Sequence, residues 1–343
     1  ASVNKLIKKV FGETSQYAAF LLFILLVIYL FANFQTNNYS NNYISQNFVL
    51  DAMEELPDDS IAITTSHIFY FGGLYEQKIN TKFTDIDLLY FPNEKNRDSQ
   101  KYKPHLFAKE VNSQFVGSII KDKKLGNAEG YILDTISRNL DRPIYILQGT
   151  FEEKFFGYLK PYISPYGLWW KVEIDSFNRL VDPKVNSQLL DDLRNAELTT
   201  DDLALKQQKD DLLTYAVSYH SAGVYFASDS FYDKALVIFD KSLKVNPDAK
   251  NVQDEIDLVK KTQKLDRGQN EFILNRDKEK LYELGNNLFT LGNFKSCSQV
   301  FEKMGEIWDD DAQIFNNAAS CFASAGKTAQ SRASYQKALD LDP

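Results

Sequence analysis

Lys278 to Pro343, KEKLYELGNNLFTLGNFKSCSQVFEKMGEIWDDDAQIFNNAASCFASAGKTAQSRASYQKALDLDP, is the stretch whose reading decides the fold of this chain. Gly285 and Ala319 lie 34 residues apart in it, and so do Gly292 and Gly326. Counted from Gly285, residues of set size fall on Leu288, Cys297, Phe301, Met304 and Asp309. The same offsets from Ala319 give Phe322, Ser331, Tyr335, Ala338 and Pro343, and from Gly223 they give Phe226, Ala235, Phe239, Ser242 and Pro247. Small residues at facing positions let two helices approach closely, and the aromatics fill the space between them. Gly223 and Gly285 are 62 residues apart, so one unit between them is irregular. Asn251 to Leu265 supplies a helix there, and the stretch after it does not fit the pattern.

A helical hairpin recurring every 34 residues resembles the tetratricopeptide repeat. The three copies are expected at about 216–249, 278–311 and 312–343, inside an all-α region spanning 186–343. Stacked repeats of this kind form a concave surface that receives a protein or peptide partner. The alternative is that three repeats merely pack onto the rest of the chain. No basic clamp pattern marks the groove, and the two readings stand level.

At the other end, Tyr17–Phe34 reads YAAFLLFILLVIYLFANF, eighteen residues without a charge. As a helix it would rise about 27 Å, close to the ~30 Å hydrocarbon core of a bilayer. Lys5, Lys8 and Lys9 precede it, and no Lys or Arg follows until Lys78. A secretory signal is shorter and ends in small residues, whereas Asn33, Phe34, Gln35 and Thr36 follow here. A buried core helix would show a polar face. The expectation is one transmembrane helix at 17–34 after a cytoplasmic segment (1–16), with the N-terminus cytoplasmic and everything beyond extracytoplasmic. The lipid bilayer is then a partner.

Between these ends, a polar linker at 35–47 leads to a short helix, Phe48–Leu56, closed by Pro57. Four β-branched or aromatic runs read as strands: Ser60–Thr65, Asp85–Phe91, Arg142–Gln148 and Gly167–Ile174. Helical patterns separate them at His67–Lys78, at roughly 104–140 with a break at Lys121–Asn127, and at Phe151–Lys160. This alternation predicts βαβ units and a small, mainly parallel sheet over 48–180, with a boundary at Asp182-Pro183. The fold class expected is thus α+β overall: a membrane helix, a small α/β domain and a helical repeat domain.

The chain is 44% hydrophobic and 14% aromatic, ample for a core, and its net charge of −8 excludes a nucleic-acid partner. Two cysteines, Cys297 and Cys321, do not make a disulfide scaffold, and three scattered histidines leave no metal spacing. Neither a Walker loop, a dinucleotide glycine pattern nor a hydrolase motif occurs, so no catalytic, metal-binding or cofactor-binding residue is named and no cofactor is expected. Four residues remain as ligand-facing candidates. His67 follows the first strand, where α/β proteins often bind ligands. Asp85 opens the second strand as half of a carboxylate pair with Asp87. Trp169 and Trp170 could stack on a sugar. Each has a structural alternative: a structural histidine, a solvated acid, and adjacent tryptophans facing opposite sides of one strand. Phe71-Gly72-Gly73-Leu74 reads as a kink or a close packing site, and Asp309–Asp311 as a solvated loop end.

The order of a membrane helix, a helix ending in Glu55-Leu56-Pro57, the strand and helix from Ser60 to Gln77, DIDLLYF, Asn139–Tyr145 and Tyr166-Gly167-Leu168 resembles one known arrangement. It is similar to the extracytoplasmic tail of the multi-spanning glycosyltransferase family that includes the plexin O-mannosyltransferase. The resemblance covers about 17–180. It implies a lipid-linked sugar donor, a glycan acceptor positioned by the tail, and further membrane helices ahead of Ala1. Relatives tend to carry acids after the first strand, where this chain has Thr65-Ser66-His67, and the family's catalytic acids belong to membrane loops absent here. The reading that follows is a binding tail of such an enzyme; the alternative is a single-pass, non-enzymatic adaptor that scaffolds other proteins.

Overall fold

In a computed structural model of the chain, the residues described are 24, 43–91, 104–112, 127–149, 159, 162–173, 183–195, 197–199 and 206–342. Residues Ile44–Pro343 form one compact unit. Eleven α-helices occur among the described residues: α1 (Ile44–Glu54), α2 (His67–Lys78), α3 (Asn127–Arg138), α4 (Pro183–Asp191), α5 (Lys206–Ser228), α6 (Tyr232–Val245), α7 (Lys250–Leu274), α8 (Lys278–Thr290), α9 (Phe294–Ile307), α10 (Ala312–Ser324) and α11 (Thr328–Leu341). The strands are β1 (Ile61–Thr64), β2 (Asp87–Tyr90), β3 (Ile144–Leu147), β4 (Ile163–Tyr166) and β5 (Trp169–Val172).

The expected fold class needs correction. The described chain is mostly helical rather than α+β, and no helix in it is long and apolar enough to cross a membrane. α5 and α7 have the length to span, but α7 carries Lys, Arg, Asp and Glu along its length, and α5 opens with Lys206, Lys209, Asp210 and Asp211 and holds Thr214, Ser218, His220 and Ser221 after them. The expected single-span membrane localisation is corrected on this finding among the described residues, and the lipid partner finds no support. The run at 17–34 on which it rested lies, apart from Ile24, outside the described residues.

The sheet is also not mainly parallel. Its order is β2-β1-β3-β5-β4, with β1 parallel to β2 and β3, and β5 antiparallel to β3 and β4. The strand the sequence reading missed is β4, whose Pro165 argues against a strand. Proline is tolerated at a sheet edge, and β4 is one. A two-residue turn, Gly167-Leu168, reverses the chain into β5. Gly167 sits at φ +55, where other residues are strained. Of the helix expected at Phe151–Lys160, only Leu159 lies among the described residues.

Alternation along the strands sends side chains to two cores. Ala62, Leu88, Tyr145, Leu147 and Trp169 face α1, α2 and α5. Ile61, Ile63, Leu89, Ile144 and Ile146 face Ile132, Leu133 and Ile136 of α3. Ser66 caps α2 by accepting from the Phe69 N–H at 3.3 Å. The glycine pair on α2 is a close packing site. A Cβ at Gly72 would lie 2.6 Å from Val49 of α1, and one at Gly73 would lie 2.7 Å from Leu88 of β2.

The first core does not stop at the sheet. Phe48 packs on both Phe69 and Tyr215, and the cluster continues through Tyr219, Phe226, Phe239 and Ile256 into α5, α6 and α7. The sheet and the first repeat therefore share one interior. A third core, built from Leu265, Leu284, Phe301, Met304, Ile314 and Phe322, holds α7 to α10.

Candidate protein-interaction surface of the helical repeats

The repeat offsets correspond to contacts. Gly223 of α5 lies against the Phe239 ring of α6, and Gly285 of α8 against the Phe301 ring of α9, so that a Cβ at either would come within 2.6 Å of ring carbons. Each glycine allows a helix pair to close on an aromatic plug. In the third copy, Ala319 is buried and Tyr335 is on the exposed side, where its hydroxyl is 3.3 Å from Ser320 Oγ.

The turns repeat as well. Phe231 N–H bonds Phe226 O, Asn293 N–H bonds Leu288 O, and Lys327 N–H bonds Phe322 O, at 2.8, 2.9 and 2.9 Å. Each such turn needs one left-handed residue, supplied by Ser230 (φ +64), Gly292 (φ +77) and Gly326 (φ +75). The same bond closes α7 onto α8, Asp277 N–H to Phe272 O at 2.8 Å, with Arg276 at φ +52. This accounts for the 62-residue interval. α7 starts after Pro247 like the first helix of a pair, and its partner α8 is itself the first helix of the next pair. The 25-residue α7 joins the two cores, with Val252, Ile256 and Val259 in one and Leu265 in the other.

Side-chain caps fix where α8, α9 and α10 begin. Asp277 accepts from Lys280 N–H, Asn293 from Ser296 N–H and Asp311 from Gln313 N–H. Asn293 also donates to Ser230 Oγ at 2.7 Å, tying the turn of the second hairpin to that of the first. Asp311 is not a merely solvated acid. Lys278 Nζ is 2.7 Å from it, and the Tyr282 hydroxyl donates to it at 3.2 Å. Partial burial acts to raise its carboxyl pKa, but Lys278, the Gln313 N–H and Tyr282 together outweigh burial and hold it below the usual value.

An open groove of about 780 Å³ lies beside this cap, lined by Lys278, Gln313, Asn316, Tyr335, Leu339 and their neighbours. Its walls mix amides, one aromatic ring and aliphatic side chains with the carboxylates of Asp310, Asp311 and Asp342. Such a lining suits a polypeptide segment, which offers backbone hydrogen-bonding groups and side chains at once. Cys297 and Cys321, two cysteines that do not make a disulfide scaffold on the sequence reading, are joined in a disulfide that links α9 to α10.

The four ligand-facing candidates do not converge. His67 is exposed at the start of α2, beyond the C-terminal end of β1. Asp85 is exposed before the N-terminal end of β2. Because β1 and β2 run parallel, the two lie at opposite ends of the strands. Trp169 is fully buried and donates its indole N–H to Ala52 O at 2.8 Å, while Trp170 packs into the core on the other face. Two clusters escaped the sequence reading. In one, Asp87 receives both His105 Nε2 (2.9 Å) and Arg142 Nη1 (2.8 Å), and Arg142 reaches on to Asp59, clasping the starts of the parallel strands. In the other, Asp51 and Glu55 are carboxyl groups buried where α1 meets the repeats. No local sequence signal marks either, since the partners lie 18 to 164 residues away. Among the described residues, no group of three or more His, Cys, Asp or Glu is arranged to hold a metal.

Residues 312–343 match the tetratricopeptide repeat family. No curated protein matches the chain. Among solved structures, MamA MSR-1 is similar at 16% identity over 47% of this chain and 87% of that one, with a TM-score of 0.20. MamA AMB-1 is similar at 18% identity over 47% and 90%, also at 0.20. Scores that low do not place the chains in one overall fold. The comparisons show no glycosyltransferase family, and neither the sugar donor nor the glycan acceptor implied by the sequence resemblance finds support in them.

Proposed function

We propose that this chain is a protein-interaction scaffold whose helical repeats (186–343) receive a polypeptide segment, with the α/β part (48–180) as their base. The observation that carries the reading is the family match at 312–343 together with the recurring Gly–Phe pairs and left-handed turns, which extend the same architecture back to α5. The core shared by Phe48, Phe69 and Tyr215 supports the α/β part as a base, because it fixes the first repeat to the sheet. Of the two readings from sequence, this is the adaptor. It requires no catalytic group.

Selection of displayed peptides on the purified chain tests it. Enriched peptides should bind through the groove, losing at least tenfold in affinity when Asn316→Lys and Tyr335→Ala are combined and nothing when His67→Ala is made. Peptides that bind the groove variant unchanged, or a selection that enriches none, would refute the proposal.

A further inference from the structure

The junction between the sheet and the repeats is built around a carboxyl group that no cation pairs among the described residues. Glu55 follows α1 and is buried; its Oε2 accepts the Leu168 N–H at 2.7 Å, and its Oε1 has no hydrogen-bond partner. The carboxyl lies flat against Gly167, where a Cβ would overlap it. The other N–H of that turn, Gly167, donates to Asn186 Oδ1 of α4 at 2.7 Å, and Gly167 O accepts from Gln148 Nε2 at 3.0 Å. Three side chains from α1, α4 and the end of β3 thus grip one hairpin turn. Asn186 is buried too, and its Nδ2 has no partner.

One helical turn earlier, Asp51 is satisfied. It accepts the Tyr215 hydroxyl at 2.7 Å and the Arg194 backbone N–H at 2.9 Å, and it pairs with the Arg194 guanidinium. Arg194 also holds Glu54 at 2.6 Å, so this cation already serves two carboxylates. Among the described residues, the other titratable groups that share the field of Glu55 are Asp51 on α1, Tyr166 on β4, and Tyr215 and Tyr219 on α5; Lys241, 5.7 Å over the Tyr219 ring, is paired with Asp191 of α4. Burial, and then the neighbouring Asp51 charge, raise the Glu55 pKa well above the usual value, against the single Leu168 N–H that lowers it. Burial raises Asp51 as well, against Tyr215 and Arg194. An ionised Glu55 would be an unpaired buried charge.

We propose that the Glu55 carboxyl is a proton-operated latch, which holds the β4–β5 turn, α4 and the first repeat together while uncharged and loosens them when it loses its proton. The direction of the linkage follows from a folded pKa raised above the unfolded one. The stabilisation is complete below the unfolded value of 4.5 and is lost as pH rises through the folded value. Above 4.5, and until the folded value is reached, the unfolding equilibrium constant should increase up to tenfold per pH unit from this one group.

Chemical denaturation of the full chain from pH 5 to 9, wild type beside Glu55→Gln, tests the latch. The amide keeps an oxygen for the Leu168 N–H and cannot ionise. The expected result is that the pH slope of wild type exceeds that of Glu55→Gln by up to tenfold per unit, and that amide exchange of peptides covering 163–172 accelerates with pH only in wild type, after correction for intrinsic exchange. Equal slopes in the two proteins would overturn the proposal. Should Glu55→Gln fail to fold, infrared difference spectra of wild type decide. A protonated carboxyl band that outlasts pH 5 and bleaches as pH rises further supports the latch, and its loss by pH 5 refutes it.

Discussion

Replacing Gly285 by alanine asks whether close approach within a hairpin is what this position supplies. Alanine is the better helix former by up to about 1 kcal/mol, so an exposed glycine in mid-helix should be improved by the change. At Gly285 the new methyl would lie 2.5 and 2.6 Å from two carbons of the Phe301 ring, whereas carbon atoms rest comfortably at about 3.5–4.0 Å. The ring must move by about 1 Å. It is buried, edge-on to Tyr282 at 5.7 Å and surrounded by the third core, so it has little room to do so. Overpacking of this kind costs about 1–3 kcal/mol, leaving a net loss of about 0–2 kcal/mol after the helical gain. Gly130 on α3 is the control, because a Cβ there meets nothing within 4 Å; Gly130→Ala should gain up to about 1 kcal/mol. Urea unfolding followed by far-UV circular dichroism separates the two. A second Phe301→Leu change in the Gly285→Ala background should show a favourable coupling of about 0.5–3 kcal/mol. If Gly285→Ala stabilises as much as Gly130→Ala, the glycine–aromatic account of the repeat is wrong.

Removing the Cys297–Cys321 link by double alanine substitution, or by reductant, opens a loop with a sequence separation of 24 and should cost about 3.5 kcal/mol by the chain-entropy relation. An unfolding midpoint indifferent to reductant would contradict this. Arg276→Gly should stabilise by about 1 kcal/mol, because Arg276 carries the left-handed strain of its turn, whereas Gly292→Ala and Gly326→Ala should each lose about 1–2 kcal/mol; thermal melts of the three variants check the opposite signs. Trp169→Ala should cost about 3–5 kcal/mol and Trp170→Ala much less, since only the first is fully buried and hydrogen-bonded through its indole. Equal losses in denaturant would mean that the sheet faces are assigned wrongly.

The repeat was legible because its physics is local. A hairpin needs a small residue, an aromatic and a turn residue at set offsets, and these stand within a few dozen positions of one another. Four of the five strands were legible for the same reason, as short β-branched or aromatic runs bounded by Asp, Pro or Gly. β4 was not, because ISPY carries a proline that only an edge position tolerates, and the edge exists only once the sheet is assembled. Trp169 shows the limit from the other side. Adjacent tryptophans in a strand must face apart, but which one enters the core shared with α1 and the repeats depends on register with Leu147 and Ile146.

By itself, then, the sequence determined the recurrence of the hairpin, the helix that begins at His67 and four of the five strands. Each depends on bonds or contacts spanning a few residues to one repeat. The tertiary structure alone decided that β5 joins β3 antiparallel, that Cys297 meets Cys321, and that sheet and repeats share one interior through Phe48 and Tyr215. It alone placed Glu55 beside Leu168, 113 residues away, with no cation paired to it among the described residues. Carboxyl groups are ordinary at the end of a surface helix. What makes this one consequential is exclusion from water by segments that come together only when the chain is folded.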